Sequence, residues 1–142
     1  DIIIAAENAF FALPEPRVGL AALAGGLHRL SRQIPMKQAM GMILTGRRVM
    51  AEEGYKLGFV TEVVQEGEAL AGALRWAEQI IECSPVSIRT SKDVVMRGDE
   101  YASVREAFEA DYQSVKDMQN SLDFIEGPLA FSEKRPPDWK GR

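Results

Sequence analysis

This chain holds one cysteine, Cys83, and one histidine, His28. A lone thiol forms neither an internal disulfide nor a cysteine-based metal site, so the expectation is no metal and a reducing compartment. Basic residues are scarce too: 17 Lys and Arg stand against 21 Asp and Glu, a formal net charge of −4 with a pI of about 5.1. Without a long Lys/Arg block, a nucleic-acid partner is excluded on charge grounds. Long apolar runs are missing, which argues against a bilayer span or a membrane partner, and no basic segment precedes the apolar start as a signal peptide requires. No internal repeat or low-complexity tract occurs. Together these absences predict a cytoplasmic protein.

What is present is 142 residues, 46% hydrophobic and 27% charged, enough for one domain-sized core. The chain opens at Asp1 and enters the β-branched run Ile2–Ile4 at once, as a strand in mid-domain does. The expectation is that a further portion precedes Asp1. A turn near Glu7-Asn8 and a second extended piece through Phe10 and Phe11 follow. Gly25-Gly26 opens a helix running to about Gln33. Pro35 starts another that Gly46 stops, and "AEEGYKLG" forms a third, closed by Gly58. "FVTEVV" reads as a strand. Leu70, Ala73, Leu74, Ala77, Ile80 and Ile81 then fall on one helical stripe. Ser84 is placed to cap a helix with Pro85 at its first position and Gly98 at its end. Beyond it, Tyr101, Val104, Phe108, Tyr112, Val115 and Met118 step along one face, and a last short helix is expected from Pro128 to Lys134. An α/β portion to about Ser84 followed by helices is the predicted organisation.

The stretch "LPEPRVGLAALAGGLHRL" contains a charge in unusual company. Glu15 stands between Pro14 and Pro16, among Leu13, Val18 and Leu20, with no acidic residue nearer than Glu7. A carboxyl held by rigid backbone in apolar surroundings is a candidate proton donor, because desolvation disfavours its anion. Spacing alone leaves a second reading open, a loop carboxylate that caps a turn or faces water. The prolines suit any tight turn.

"DIIIAAENAFFALPEPRVGL", "AGGLHRL", "AMGMILTGRRVMAEEGYKLGFVTEVV", "SPVSIRTSK" and "EGPLAFSEKRPPDWKGR" occur in the order and spacing of the enoyl-CoA hydratase/isomerase, or crotonase, superfamily. The resemblance runs over the whole chain and is to the C-terminal half of such proteins. It implies an α/β fold: 1–84 as the C-terminal part of a crotonase-like ββα spiral core, then 85–142 as an all-helical oligomerisation region. It implies an acyl-CoA substrate, no cofactor beyond the coenzyme A that the substrate carries, and a homo-oligomer, either a trimer or a dimer of trimers. The activity it implies is that of a 2-enoyl-CoA hydratase, with an isomerase, another crotonase-type acyl-CoA enzyme or a catalytically silent binding subunit as alternatives. Glu15 matches the family glutamate that exchanges a proton with the substrate α-carbon. The backbone amides that polarise the thioester carbonyl, and a second Glu that acts on water, would precede Asp1.

By the same resemblance Pro14, Leu20, Ala22 and Leu23 line the acyl pocket, although the leucines and Ala22 could equally be core. Hydratases usually carry Pro-Gly where this chain has Ala22-Leu23, so the larger side chain is expected to narrow the pocket. Phe131 and Lys134 match positions where an aromatic and a cation approach the CoA adenine and phosphates, against a plain reading of Lys134, Arg135, Lys140 and Arg142 as a solvated tail. Gly25-Gly26 reads as a close strand–helix turn rather than a phosphate cradle, and His28 as a surface or interface residue. Arg47-Arg48 reads as a solvated patch and Cys83 as an inert buried thiol.

Overall fold

The computed structural model describes residues 1–142, which divide into two compact units, 1–76 and 77–142. In the first unit the β-branched start leads into β1 (Ile4–Ala6), paired in parallel with β4 (Glu62–Val64), Ala5 opposite Val63; Ala5 is buried, whereas Ile2 and Ile3 before the strand are exposed. The Thr61 hydroxyl accepts from the Ile3 N–H at 3.1 Å, and the Glu7 N–H reaches the Val64 carbonyl at 2.8 Å, so the pairing continues past both strand ends. The turn at Glu7-Asn8 delivers the chain into β2 (Phe10–Phe11), antiparallel to β3 (Val49–Met50).

Between these strands lie a 3₁₀ turn (Glu15–Val18) and helices α1 (Gly26–Gln33) and α2 (Met36–Thr45); α3 (Ala51–Leu57) follows β3. Ile34, Ala39, Met42 and Val49 form one buried cluster and Ala5, Ala51 and Val60 another. Phe59 packs against both and meets Phe11 edge to face at 5.1 Å. Of Arg47 and Arg48, expected as a solvated patch, Arg48 is exposed and Arg47 is half-buried, and both have partners. Arg47 grips Glu53 through two hydrogen bonds of 2.9 and 2.5 Å, and that contact draws the Glu53 carboxyl below its usual range. The Arg48 guanidinium lies 4.2 Å from the centre of the Phe10 ring. The direct β3–α3 junction brings Glu53 within reach of Arg47, and the β2–β3 pairing sets Phe10 beside Arg48.

Helix α4 (Ala69–Ile81) runs across the division between the units. The face it turns to the first unit is not the apolar stripe. Gly72, where a Cβ would stand 2.8 Å from Ile4 Cγ2, and Trp76, whose indole N–H bonds Glu62 at 2.7 Å, make the contact. Leu70, Leu74 and Ile81 are exposed. The apolar stripe does lie on one helix, but which face is covered depends on the close approach at Gly72, which a residue without a side chain allows.

In the second unit α5 (Pro85–Gly98) is capped as expected: the Ser84 hydroxyl accepts from the Ser87 N–H at 3.2 Å. The run after Gly98 is not one helix. Ser103 and Glu106 make a capping box, hydroxyl to the Glu106 N–H and carboxylate to the Ala102 N–H, both at 3.2 Å, which starts α6 (Val104–Glu109). Ala110 then turns extended, at ψ 150°, before α7 (Gln113–Gln119). The break carries Tyr112 inward, its hydroxyl on the Ala107 carbonyl at 2.9 Å, and leaves Val104 and Phe108 exposed. The last helix, α8 (Leu122–Glu133), begins six residues before Pro128, because the Ser121 hydroxyl caps it by accepting from the Phe124 N–H at 3.2 Å. Pro128 sits inside it.

The basic tail is folded back through its backbone and Arg135, while Lys134, Lys140 and Arg142 remain exposed. Asp123 is buried and accepts from the Ser84 hydroxyl (2.8 Å), the Lys140 N–H (2.7 Å) and the Gly141 N–H (3.1 Å). Arg135 grips Glu126 with two bonds, of 2.6 and 3.0 Å, and Trp139 donates to the Glu82 carbonyl at 2.9 Å. Burial pushes the Asp123 carboxyl up, but these hydrogen bonds and the charge of Arg89 outweigh it and hold it below its ordinary range. Arg135, with the Asp138 N–H, holds Glu126 down at about 2. Both groups take up protons more readily unfolded than folded, so their stabilisation is complete above the ordinary carboxylate range, about pH 4.5, and is lost as pH falls toward 2. Acid titration followed by Trp139 fluorescence should show this loss, and Glu126→Gln should shallow it. An unchanged profile in the variant rejects the assignment.

No helix is long and apolar enough to cross a membrane, and no group of three or more His, Cys, Asp or Glu is placed to hold a metal ion.

Candidate active site

Glu15 is the first residue of the 3₁₀ turn, with Pro14 before it at φ −80° and Pro16 after it. Two fixed proline rings leave the backbone little freedom there. The Arg17 N–H closes the turn onto the Pro14 carbonyl at 3.0 Å, and the Leu20 N–H returns to the Glu15 carbonyl at 3.0 Å. The side chain is half-buried, and its Oε2 is enclosed by protein without a hydrogen-bond partner. Buried carboxylate oxygens almost always have a donor, yet this oxygen caps no backbone N–H in the chain. The turn is anchored to the end of α2: Arg17 Nε donates to the Thr45 carbonyl at 3.1 Å, beside Gly46.

Of the predicted lining residues, Ala22 is buried, within a few ångströms of where a Cβ on Gly26 would stand. Pro14, Leu20 and Leu23 are exposed, Leu23 by 74%. A cleft of about 420 Å³ in the same unit is lined by Phe11, Leu13, Gly26, Met42 and Phe59 among others; Leu13 belongs both to it and to the segment carrying Glu15. Gly25, at φ 98°, makes the turn into α1, and His28 is exposed on that helix. Cys83 is exposed, a correction to the buried thiol expected from sequence: it follows the last turn of α4 and its Sγ reaches only the Gln79 carbonyl, at 3.6 Å.

Residues 1–142 match the model of the enoyl-CoA hydratase/isomerase family over their whole length. The chain belongs to the enoyl-CoA hydratase/isomerase family. A carnitinyl-CoA dehydratase of Escherichia coli O157:H7 is 39% identical over 148 aligned residues, covering 100% of this chain and 56% of the relative. Among solved structures, an enoyl-CoA hydratase of Mycobacterium marinum superposes with a TM-score of 0.94 at 36% identity, covering 100% of this chain and 56% of that one. One from Mycobacterium tuberculosis H37Rv gives 0.92 at 34% identity, with 100% and 56% covered. The fold is therefore α/β and crotonase-like, rich in helices, and the chain spans about half the length of the family members it matches.

Phe131 and Lys134, the other pair singled out by the family resemblance, lie in the second unit near the end of α8. Phe131 is 88% exposed. Lys134 alone among the non-glycine residues has a positive φ, 54°, a conformation costing about 1 kcal/mol. It ends α8 and turns the chain toward Arg135 and its carboxylate partners.

Proposed function

We propose that the whole protein adds water across, or removes it to form, the α,β double bond of an acyl-CoA thioester, and that Glu15 is its acid/base at the α-carbon. In the hydration direction, water oxygen bonds to the β-carbon and gives up one proton to a base outside residues 1–142, the second Glu that the family resemblance implies, while the π electrons move to the α-carbon and thioester oxygen and the Glu15 carboxyl gives its proton to the α-carbon. In the reverse direction Glu15 takes the α-proton, and the β-hydroxyl leaves as water with the proton that the second group returns. The observation that carries this reading is the enclosed, unpartnered Glu15 oxygen. An acid that protonates carbon must keep its reacting oxygen free of stronger donors, since a C–H group offers no competing hydrogen bond. The relative named carnitinyl-CoA dehydratase supports water chemistry over a double-bond shift.

In this proposal the chain corresponds to the C-terminal part of the family's length, and the donors that stabilise the thioester oxyanion come from the remainder. Such donors contribute roughly 3–4 kcal/mol each. The two-stranded parallel pair β1–β4 supports this, because parallel strands occur within larger, covered sheets. Residues 1–142 assayed alone with crotonyl-CoA should therefore turn over far more slowly than the full-length protein. Comparable rates reject the division of labour.

Phe131 and Lys134 would stack on and neutralise the CoA nucleotide, as an exposed aromatic and a cation can. The whole protein would be a trimer or dimer of trimers, which the exposed Leu70, Leu74, Ile81, Val104 and Phe108 support. Light scattering on the full-length protein should give three or six subunits; a monodisperse monomer rejects this.

A further inference from the structure

Gly46 stops α2, and its left-handed φ of 58° is reason enough for a glycine there. The surroundings give a second reason. A Cβ on Gly46 would stand 3.2 Å from each of three atoms: the Leu13 carbonyl oxygen, Pro14 Cα and Arg17 Nε. All three belong to the segment carrying Glu15, two are backbone, and the third is tied down by its bond to the Thr45 carbonyl. Ordinary contact would be 3.4 Å or more, so a side chain at Gly46 requires the turn carrying Glu15, or the end of α2 facing it, to give by a few tenths of an ångström. Thr45 is itself fixed, its hydroxyl donating to the Gly41 carbonyl at 2.6 Å and accepting from the Arg47 N–H at 3.2 Å. The Arg17 cation also lies at the helix C-terminus, where the dipole favours positive charge. A proline-stiffened turn, a helix end without a side chain and one arginine bond thus make a rigid joint.

We infer that Gly46 and Arg17 are positioning residues for the Glu15 carboxyl, seating its turn on the end of α2 so that the acid meets the substrate α-carbon. This rests on the acid/base reading of Glu15. Neither residue needs to touch substrate: displacing a reacting group by about 1 Å can cost on the order of 10²-fold in rate. Binding groups elsewhere are undisturbed, so the loss falls on kcat rather than KM.

Gly58 provides the control, because it too is a left-handed helix stop, at φ 92°, but has open space where its Cβ would be. The full-length protein is assayed for crotonyl-CoA hydration as wild type, Gly46→Ala, Gly58→Ala, Arg17→Met, Arg17→Lys and Glu15→Gln, at a temperature where circular dichroism shows each folded. Gly46→Ala and Arg17→Met should lower kcat severalfold with KM changed less than about twofold, Arg17→Lys should recover part of the loss, and Gly58→Ala should stay near wild type. If Gly46→Ala does not fold, the Arg17 pair decides. Loss in Gly58→Ala equal to that in Gly46→Ala overturns the inference, since strain alone then accounts for it. Activity retained in Gly46→Ala and Arg17→Met while Glu15→Gln is inactive overturns the joint and leaves the acid standing. A fully active Glu15→Gln overturns both.

Discussion

Glu15→Gln in the full-length protein lowers kcat for hydration of a short 2-enoyl-CoA by roughly 10²–10⁴-fold, the usual contribution of a general acid or base. The substitution keeps size and shape and removes only the transferable proton. KM changes little, because the carboxyl acts on a bond that forms in the transition state. Exchange of the α-proton of a saturated acyl-CoA in D₂O should fall in parallel, since it needs the same transfer without the attack of water. Stability should hold or rise slightly, because the enclosed Oε2 loses no hydrogen bond when it becomes part of an amide. A Gln variant that hydrates and exchanges like wild type makes Glu15 a structural carboxylate.

Asp123→Ala has the largest expected effect on folding. The change removes the acceptor shared by the Ser84 hydroxyl and the Lys140 and Gly141 N–H groups, all within 2.7–3.1 Å, at a site that is 4% exposed. Leaving buried donors unpaired costs about 1–3 kcal/mol apiece, partly relieved by water, so a loss of about 3–5 kcal/mol is expected. Asp138→Ala is the contrast. Asp138 pairs with Lys140, but its side chain is 74% exposed, and exposed pairs of this kind contribute about 0–1 kcal/mol. Urea denaturation of the two variants should show the midpoint moving far in the first and barely in the second, at similar slope. Equal midpoints would mean that the tail does not depend on Asp123.

Signals that act within a few residues of themselves were legible in the sequence. Ser84 with Pro85 capped a helix, Gly46 and Gly58 stopped theirs, and the β-branched start became a parallel strand. The Ser103–Glu106 capping box and the Ser121 cap were equally written in the residues, but the periodic apolar positions from Tyr101 to Met118 and the proline at 128 obscured them. Periodicity says that positions share a face if the helix is continuous; it does not say that the helix is continuous. The helix breaks at Ala110, and Tyr112 turns in beside Tyr101 and the Ala107 carbonyl.

For the site, the sequence alone marked Glu15, as a carboxyl isolated among apolar residues and prolines, and local chemistry was enough for that. It determined the order of the elements, most of their ends, and a chain whose residue order places it in its family. Tertiary structure decided the rest: that Glu15 Oε2 is enclosed and unpartnered, that Gly46 lies close against the segment carrying Glu15, that Arg47 and Arg135 are paired, that Cys83 is exposed, and that the tail closes on Asp123. Each of these depends on the distance between groups far apart in the chain or on which face a neighbour covers. Backbone propensities and caps act through bonds and the nearest turn, whereas enclosure, ion pairing and close approach exist only once separate segments are packed together.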